Sequence, residues 1–229
     1  NNMSEISEKF QGCTFYSGDY GEYPSILYNY QLVDENLSKV STMVVKTNNN
    51  TKTLVQTLDF FPNLHTVKIE KANKVTDLNF LNKLKNLKEL LVQETLSQKD
   101  WKFLKDILLE KLTVYSKSNI SINLLPSSLK KLSLYGSFEY SSLTDLENLK
   151  ELIIDNSSGN PLLKEIKDLP NEYELPLLPK SLENLVIRGS CKLINNGFLE
   201  KLNSTCRIYT PDKGCKDLSI PDRFSNTSR

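Results

Sequence analysis

Histidine occurs once in the 229 residues, alanine once and arginine four times. The single histidine, His65, excludes a two-histidine metal site and leaves triad chemistry dependent on one imidazole. Basic residues number 29 against 28 acidic ones, for a formal net charge of +1. That balance, with so little arginine, lacks the basic excess by which nucleic-acid binders hold phosphates, so nucleic acid is not an expected partner. No apolar run approaches the roughly 18 residues of a spanning helix. The first 30 residues are polar and tyrosine-rich without an apolar segment, so a signal peptide is either absent or already removed. Cys13, Cys191, Cys206 and Cys215 include no C-x-x-C pair and no metal-ligand rhythm, and are read mostly as reduced thiols. No glycine-rich phosphate loop occurs, and the acidic residues are scattered without a pair suited to acid–base work. No enzyme activity, metal or cofactor is expected.

Leucine is what the chain has in abundance, 38 of 229 residues. The pattern apolar-x-x-apolar-x-apolar recurs as Val40-Met43-Val45, Leu64-Val67-Ile69, Leu87-Leu90-Val92 and Leu109-Leu112-Val114. It continues as Leu129-Leu132-Leu134, Leu149-Leu152-Ile154 and Leu182-Leu185-Ile187, with a weaker eighth copy at Asn203-Cys206-Ile208. Six of the seven start-to-start spacings fall between 20 and 24; the exception, 33, precedes Leu182. Such a period marks a repeat architecture, in which each unit buries its apolar face only by stacking on its neighbours. Each alternation predicts a strand whose inward residues fill the core. A second signal returns between these runs, as in Phe80-Leu81-x-x-Leu84, Phe103-Leu104-x-x-Ile107 and Phe198-Leu199-x-x-Leu202.

With both signals in phase, the chain resembles leucine-rich-repeat proteins over roughly residues 37–210. The resemblance implies an α/β solenoid: a horseshoe or arc with a parallel concave sheet of about seven or eight strands and short helices or turns on the convex side. The segments LPSSLKKLSL (125–134) and LPKSLENLVI (178–187) are similar to repeats of fungal F-box leucine-rich proteins, slime-mould repeat proteins and bacterial effector ubiquitin ligases. The Phe-Asn-x-Pro element of the slime-mould type is absent. The F-box likeness implies a substrate receptor of a ubiquitin ligase, with a ligase adaptor as partner if the native chain is longer, since no F-box segment precedes the repeats.

The connections differ among repeats. Gly136, Asn156 and Gly189 stand two positions after the last core residue of their repeats, where a turn calls for positive φ, and each precedes a serine: Ser137, Ser157 and Ser190. The asparagine ladder that the resemblance would place there is missing. Ser97-Gln98-Lys99-Asp100 reads as a capping box opening a helix in which Trp101, Leu104, Ile107 and Leu108 share a face. Thr76 and Asp77 read as the start of another, ending near Leu84. Pro126 and Pro179 leave extended turns instead. The long unit carries an insertion at about 159–177, a loop candidate for a binding edge.

Residues 1–36, with five tyrosines between 16 and 30, are expected to cap the exposed end of the core or to be the remnant of a preceding domain. The array spans 37–209, and 210–229 form a C-terminal cap and tail. His65 reads as a surface histidine without partners. Cys206 sits in a core slot, where a buried thiol is the default; a bridge to Cys215 is expected only in an oxidising compartment. Cys215-Lys216-Asp217 matches the Cys-x-Asp element of bacterial effector ligases, a three-residue match too short to carry weight. Seven N-x-S/T sequons occur, and Asn203, placed in a strand, reads as a poor glycan site.

Alternation sends the intervening residues to the concave sheet. One column reads Val44, Lys68, Leu91, Thr113, Ser133, Ile153, Val186 and Arg207; the next reads Lys46, Glu70, Gln93, Tyr115, Tyr135, Asp155, Arg188 and Tyr209. Tyr115 and Tyr135 share a slot in successive repeats, about 5 Å apart if their strands adjoin. Aromatic anchors in a mixed polar surround are the composition of a protein-binding face. The expected protein-binding residues are Lys68, Glu70, Leu91, Gln93, Thr113, Tyr115, Ser133, Tyr135, Ile153, Asp155, Val186 and Arg188. The expected function is non-catalytic protein recognition in the cytoplasm or nucleus. The alternative is a secreted or cell-surface recognition protein bearing N-glycans.

Overall fold

The computed structural model describes residues 12–46, 52, 54, 55, 58–70, 77–93, 101–121, 125–139, 142–156, 172–189, 192–211 and 220–224. The chain forms two compact units, 1–109 and 110–229. Each is a stack of leucine-rich repeats around its own core.

In the N-terminal unit, β3 (Val40–Val45), β4 (Thr66–Glu70) and β5 (Glu89–Gln93) run parallel. Their inward residues lie in register: Met43 pairs with Val67 and Val67 with Leu90, all fully buried. On the other side of β3, β1 (Cys13–Ser17) pairs antiparallel, and β2 (Ser25–Leu27) pairs antiparallel with β1. The order is therefore β2-β1-β3-β4-β5. Phe15 of β1 pairs with Met43 and packs its ring 5.0 Å from that of Phe61, carrying the core of the first repeats under the antiparallel strand.

In the C-terminal unit, β6 (Lys111–Ser121), β7 (Lys131–Glu139), β8 (Glu151–Asn156), β10 (Asn184–Gly189) and β12 (Arg207–Tyr209) are parallel neighbours in that order. Leu112, Leu132, Leu152 and Leu185 form one in-register row, each fully buried. β6 and β7 run on past the first sheet segment through an irregularity, and there Gly136 adopts a φ of +119°. Gly189, expected to turn in the same way, instead stays in the strand opposite Asn156. A second, two-stranded parallel sheet joins β9 (Glu172–Glu174) to β11 (Lys192–Ile194), burying Leu193. The end of the expected insertion is thus sheet rather than loop; residues 157–171 lie outside the described part.

The eighth copy starts later than the spacing predicts. Ile208 pairs with Leu185, not Ile187, so Ile208 fills the middle core slot and Cys206 the first. In three other repeats of this unit, two successive amides share one carbonyl of the preceding repeat, as Glu183 and Asn184 share that of Lys150. Here Arg207 alone donates to Glu183, so one residue is missing between the first two slots. Asn203 is too polar for the first slot and forms the exposed turn before it, accepting from the Thr205 amide at 3.3 Å.

Among the described residues, four of the connections contain 3₁₀ turns: Leu58–Phe60, Asn79–Lys83, Lys102–Asp106 and Leu199–Lys201. At three residues per turn, positions i, i+3 and i+6 eclipse, so Trp101, Leu104 and Ile107 all face inward. The chain leaves the turn extended at Ile107, so Leu108 points outward between buried Ile107 and Leu109 and is 75% exposed, which corrects its expected place beside them. Asp77 accepts from the Asn79 amide at 2.8 Å and opens the second turn; Thr76 and the Ser97–Asp100 box lie outside the described residues.

An asparagine ladder does exist, on the side of the strands opposite to the expected one. Asn63 donates to the Ser38 carbonyl at 2.8 Å and Asn86 to that of Pro62 at 3.3 Å. Asn148 donates to the Ser127 carbonyl at 3.0 Å. Each stands one residue before the first core leucine and satisfies a loop carbonyl of the preceding repeat. Ser181 holds the same slot and donates to the Leu149 carbonyl at 2.7 Å.

Candidate functional site: the outward rows of the two sheets

Residues between the buried slots point away from the core, and the strand register aligns them into rows. In the C-terminal unit one row runs Lys111, Lys131, Glu151, Asn184, Arg207. The next runs Thr113, Ser133, Ile153, Val186, Tyr209, and the third Tyr115, Tyr135, Asp155, Arg188. The shortened last repeat therefore exchanges two expected places. Tyr209 stands beside Val186 rather than Arg188, and Arg207 beside Asn184. Ile153, Val186 and Tyr209 make a half-buried apolar row that was not legible while the eighth copy was misaligned.

Tyr115 and Tyr135 are the centre of this surface. They pair across β6 and β7, and their rings stack with centroids 4.2 Å apart at 7°. Strand spacing alone would hold them about 4.8 Å apart, so the rings lean together into contact. Burial pushes the Tyr115 hydroxyl up to about 12; a charge on Tyr135, its hydrogen bond to Tyr135 and the Asp155 carboxylate add to the rise. Tyr115 therefore stays neutral at any physiological pH, and the stacked rings form a half-buried aromatic surface. Lys131 and Glu151 of the first row form an exposed ion pair at 3.4 Å, which contributes about 0–1 kcal/mol.

Three of the expected binding residues carry little surface: Thr113 is 8%, Ser133 3% and Asp155 3% exposed. Thr113 and Ser133 sit directly opposite each other and Asp155 lies beside Tyr135, so the neighbouring side chains cover them. Tyr115, Tyr135, Ile153 and Val186 are half-buried, and Arg188 is exposed. In the N-terminal unit Lys68 lies opposite Leu91 and Glu70 opposite Gln93, all four half-buried.

His65 has partners that the sequence conceals. Its Nε2 lies 3.1 Å from the Gly18 carbonyl and its Nδ1 2.8 Å from the Thr66 hydroxyl. Tyr20 meets the ring edge-on at 5.4 Å, and Lys88 lies 5.3 Å over the Tyr20 ring. These contacts tie the turn after β1 to the second repeat, through a residue 47 positions away. Burial pushes the Cys13 thiol up to about 12 and the Cys206 thiol up to about 11, the latter with an added push from Glu183. Cys215 lies outside the described residues. Among the described residues no group of three or more His, Cys, Asp or Glu side chains is placed to hold a metal, and no helix is long and apolar enough to cross a membrane.

No protein-family model matches the chain, and no curated protein matches it in sequence. Solved structures do match. An internalin C2 from Listeria monocytogenes is 14% identical, with a TM-score of 0.48, over 98% of this chain and 92% of that one. Another internalin from the same organism is 16% identical, with a TM-score of 0.25, over 98% of this chain and 93% of the other.

Proposed function

We propose that the protein is a non-catalytic recognition module that binds a protein partner on the outward rows of its repeat sheets. The stacked Tyr115–Tyr135 pair carries this reading. It is half-buried, pre-assembled and flanked by the apolar row Ile153, Val186 and Tyr209, with Arg188 exposed at one side. Aromatic anchors of this kind dominate interface energies, and a pair already stacked loses little rotamer freedom on binding. Lys68, Glu70, Leu91 and Gln93 offer a more polar surface in the other unit. Thr113, Ser133 and Asp155 act as support for the tyrosines rather than as contacts. Residues 1–36 serve as the N-terminal cap of the array 37–209, with 210–229 its C-terminal cap and tail.

The test compares proteins retained from a lysate by the wild type and by Tyr115→Ala/Tyr135→Ala, followed by titration of whatever differs. Affinity is expected to fall at least tenfold in the double variant; equal affinity removes the tyrosines from the interface. Within this reading, the likeness of LPSSLKKLSL and LPKSLENLVI to fungal F-box repeats favours a substrate receptor of a ubiquitin ligase. Binding of a Skp1-like adaptor by the full-length protein tests that role, and its absence ends it. A second reading, a secreted or surface protein, gains from Asn203, which stands exposed in the sequon 203–205 rather than in a strand. Intact mass before and after deglycosylation decides it.

A further inference from the structure

Four of the most exposed large apolar side chains among the described residues fall within eight positions. Tyr23 is 100% exposed, Tyr30 70%, Tyr28 53% and Ile26 44%. They surround β2, which ends the N-terminal sheet, and no described residue pairs with its outer edge. A terminal strand with free N–H and C=O groups is a template for a further strand. Natural proteins blunt such an edge with lysine, proline or shortness; β2 is three residues long and follows Pro24, but carries no lysine. From Lys9 to Lys39 the chain contains no basic residue and four acidic ones: Asp19, Glu22, Asp34 and Glu35. Lys88 lies over the ring of Tyr20, 5.3 Å from its centroid. Tyr28 and Tyr30 already stack, with centroids 5.9 Å apart at 3°, and so present a ready π-face at the end of the strand.

These features select the occupant. A second copy of the chain would bring the same lysine-free, acid-bearing stretch 10–38 against its own, and like charges oppose that pairing. An extended segment bearing cations gains from the carboxylates, and its ammonium or guanidinium groups gain from the tyrosine faces. We propose that the outer edge of β2 accepts an extended strand of a protein partner with lysine or arginine at alternate positions. Main-chain bonds to Ser25–Leu27 would hold it, with a cation seated against Tyr28 and Tyr30.

The probe is a labelled, end-blocked hexapeptide of alternating lysine and valine, titrated into the full chain by fluorescence anisotropy. Its control carries glutamate in place of lysine. The lysine peptide is expected to bind, to weaken with added salt, and to weaken at least tenfold in Tyr28→Ala/Tyr30→Ala. Both tyrosines are exposed, so that variant folds. Ile26→Pro, which disrupts the edge, is expected to act likewise. Tyr115→Ala/Tyr135→Ala is expected to leave this binding unchanged, which separates the site from the one proposed above. Equal binding of the glutamate peptide, no binding of the lysine peptide, or an unchanged affinity in the Tyr28/Tyr30 variant overturns the proposal. So does a dimer in sedimentation that Ile26→Pro abolishes, because the edge then belongs to a second copy.

Discussion

Replacing Leu132 by alanine is expected to cost more stability than replacing either of the two tyrosines beside it. Leu132 is fully buried and lies in register between Leu112 and Leu152, which are also fully buried. Removing a leucine side chain from a core costs about 2.7–5.0 kcal/mol, rising with the cavity left behind. Parallel ladders hold the strands on both sides of Leu132 in place, so the site collapses little and a cost of about 3–5 kcal/mol is expected. Each tyrosine is half-buried. Truncating one forfeits about 1 kcal/mol of burial, roughly half the value for a fully buried aromatic. The stacking contact adds about 0.5–1.5 kcal/mol, counted once for the pair and measurable as the coupling in a double-mutant cycle. The double variant is therefore expected to lose about 2.5–3.5 kcal/mol. Urea unfolding followed by far-UV circular dichroism reads both, provided the slopes against urea stay equal. A single variant, Tyr115→Ala or Tyr135→Ala, as unstable as Leu132→Ala would place that ring inside the core and refute the register from which the outward rows are built.

Alkali is expected to destabilise the protein through Tyr115. Its folded-state value near 12 lies above the unfolded value of 10, so the folded form keeps a proton that the unfolded form loses. The contribution is complete below pH 10 and disappears as pH rises toward 12; Tyr115→Phe should flatten the difference in urea midpoint across that window. His65→Ala removes the bonds to Gly18 and Thr66 and is expected to cost about 1 kcal/mol, with faster amide exchange confined to residues 18–20 and their neighbours. Cys206, with its value raised to about 11, is expected to resist iodoacetamide at pH 8 in the folded protein and to react on unfolding, read by peptide mass spectrometry.

The core was legible because its rule is strict. A slot such as Leu90 or Leu152 must be filled by an apolar side chain in every repeat, and the period of the chain exposes it. Where a local pattern admits two geometries, the sequence is silent. Over seven residues, Trp101 to Ile107 fits a 3₁₀ turn as well as an α-helix, and only Leu108 distinguishes them. The eighth copy misleads because Asn203 and Cys206 preserve the spacing of a core pair while one residue is lost after Cys206, which sets Tyr209 beside Val186 instead of Arg188. The tie between His65 and Gly18 joins residues 47 apart and leaves no local trace. The burial of Ser133 and Asp155 follows from neighbours on adjacent strands, which no single repeat specifies. The asparagines at 63, 86 and 148 were visible, but they precede the core leucine, while the resemblance directed attention to the turn after the strand.

That ladder bears on how such a chain tolerates change. The bond from Asn63 spans 25 residues of sequence, that from Asn148 spans 21, and that from Ser181 spans 32. The distances are 2.8, 3.0 and 2.7 Å, so bond length does not follow the amount of chain enclosed. Strand stacking sets the geometry of each rung, and the connecting segment only has to close. Lengthening a closed loop costs little, about 0.6 kcal/mol per doubling. The connecting segments can therefore vary in length and composition while the rungs and the rows of side chains beside them keep their spacing. Variation in the loops is decoupled from variation in the sheet surface, and the two can be altered independently.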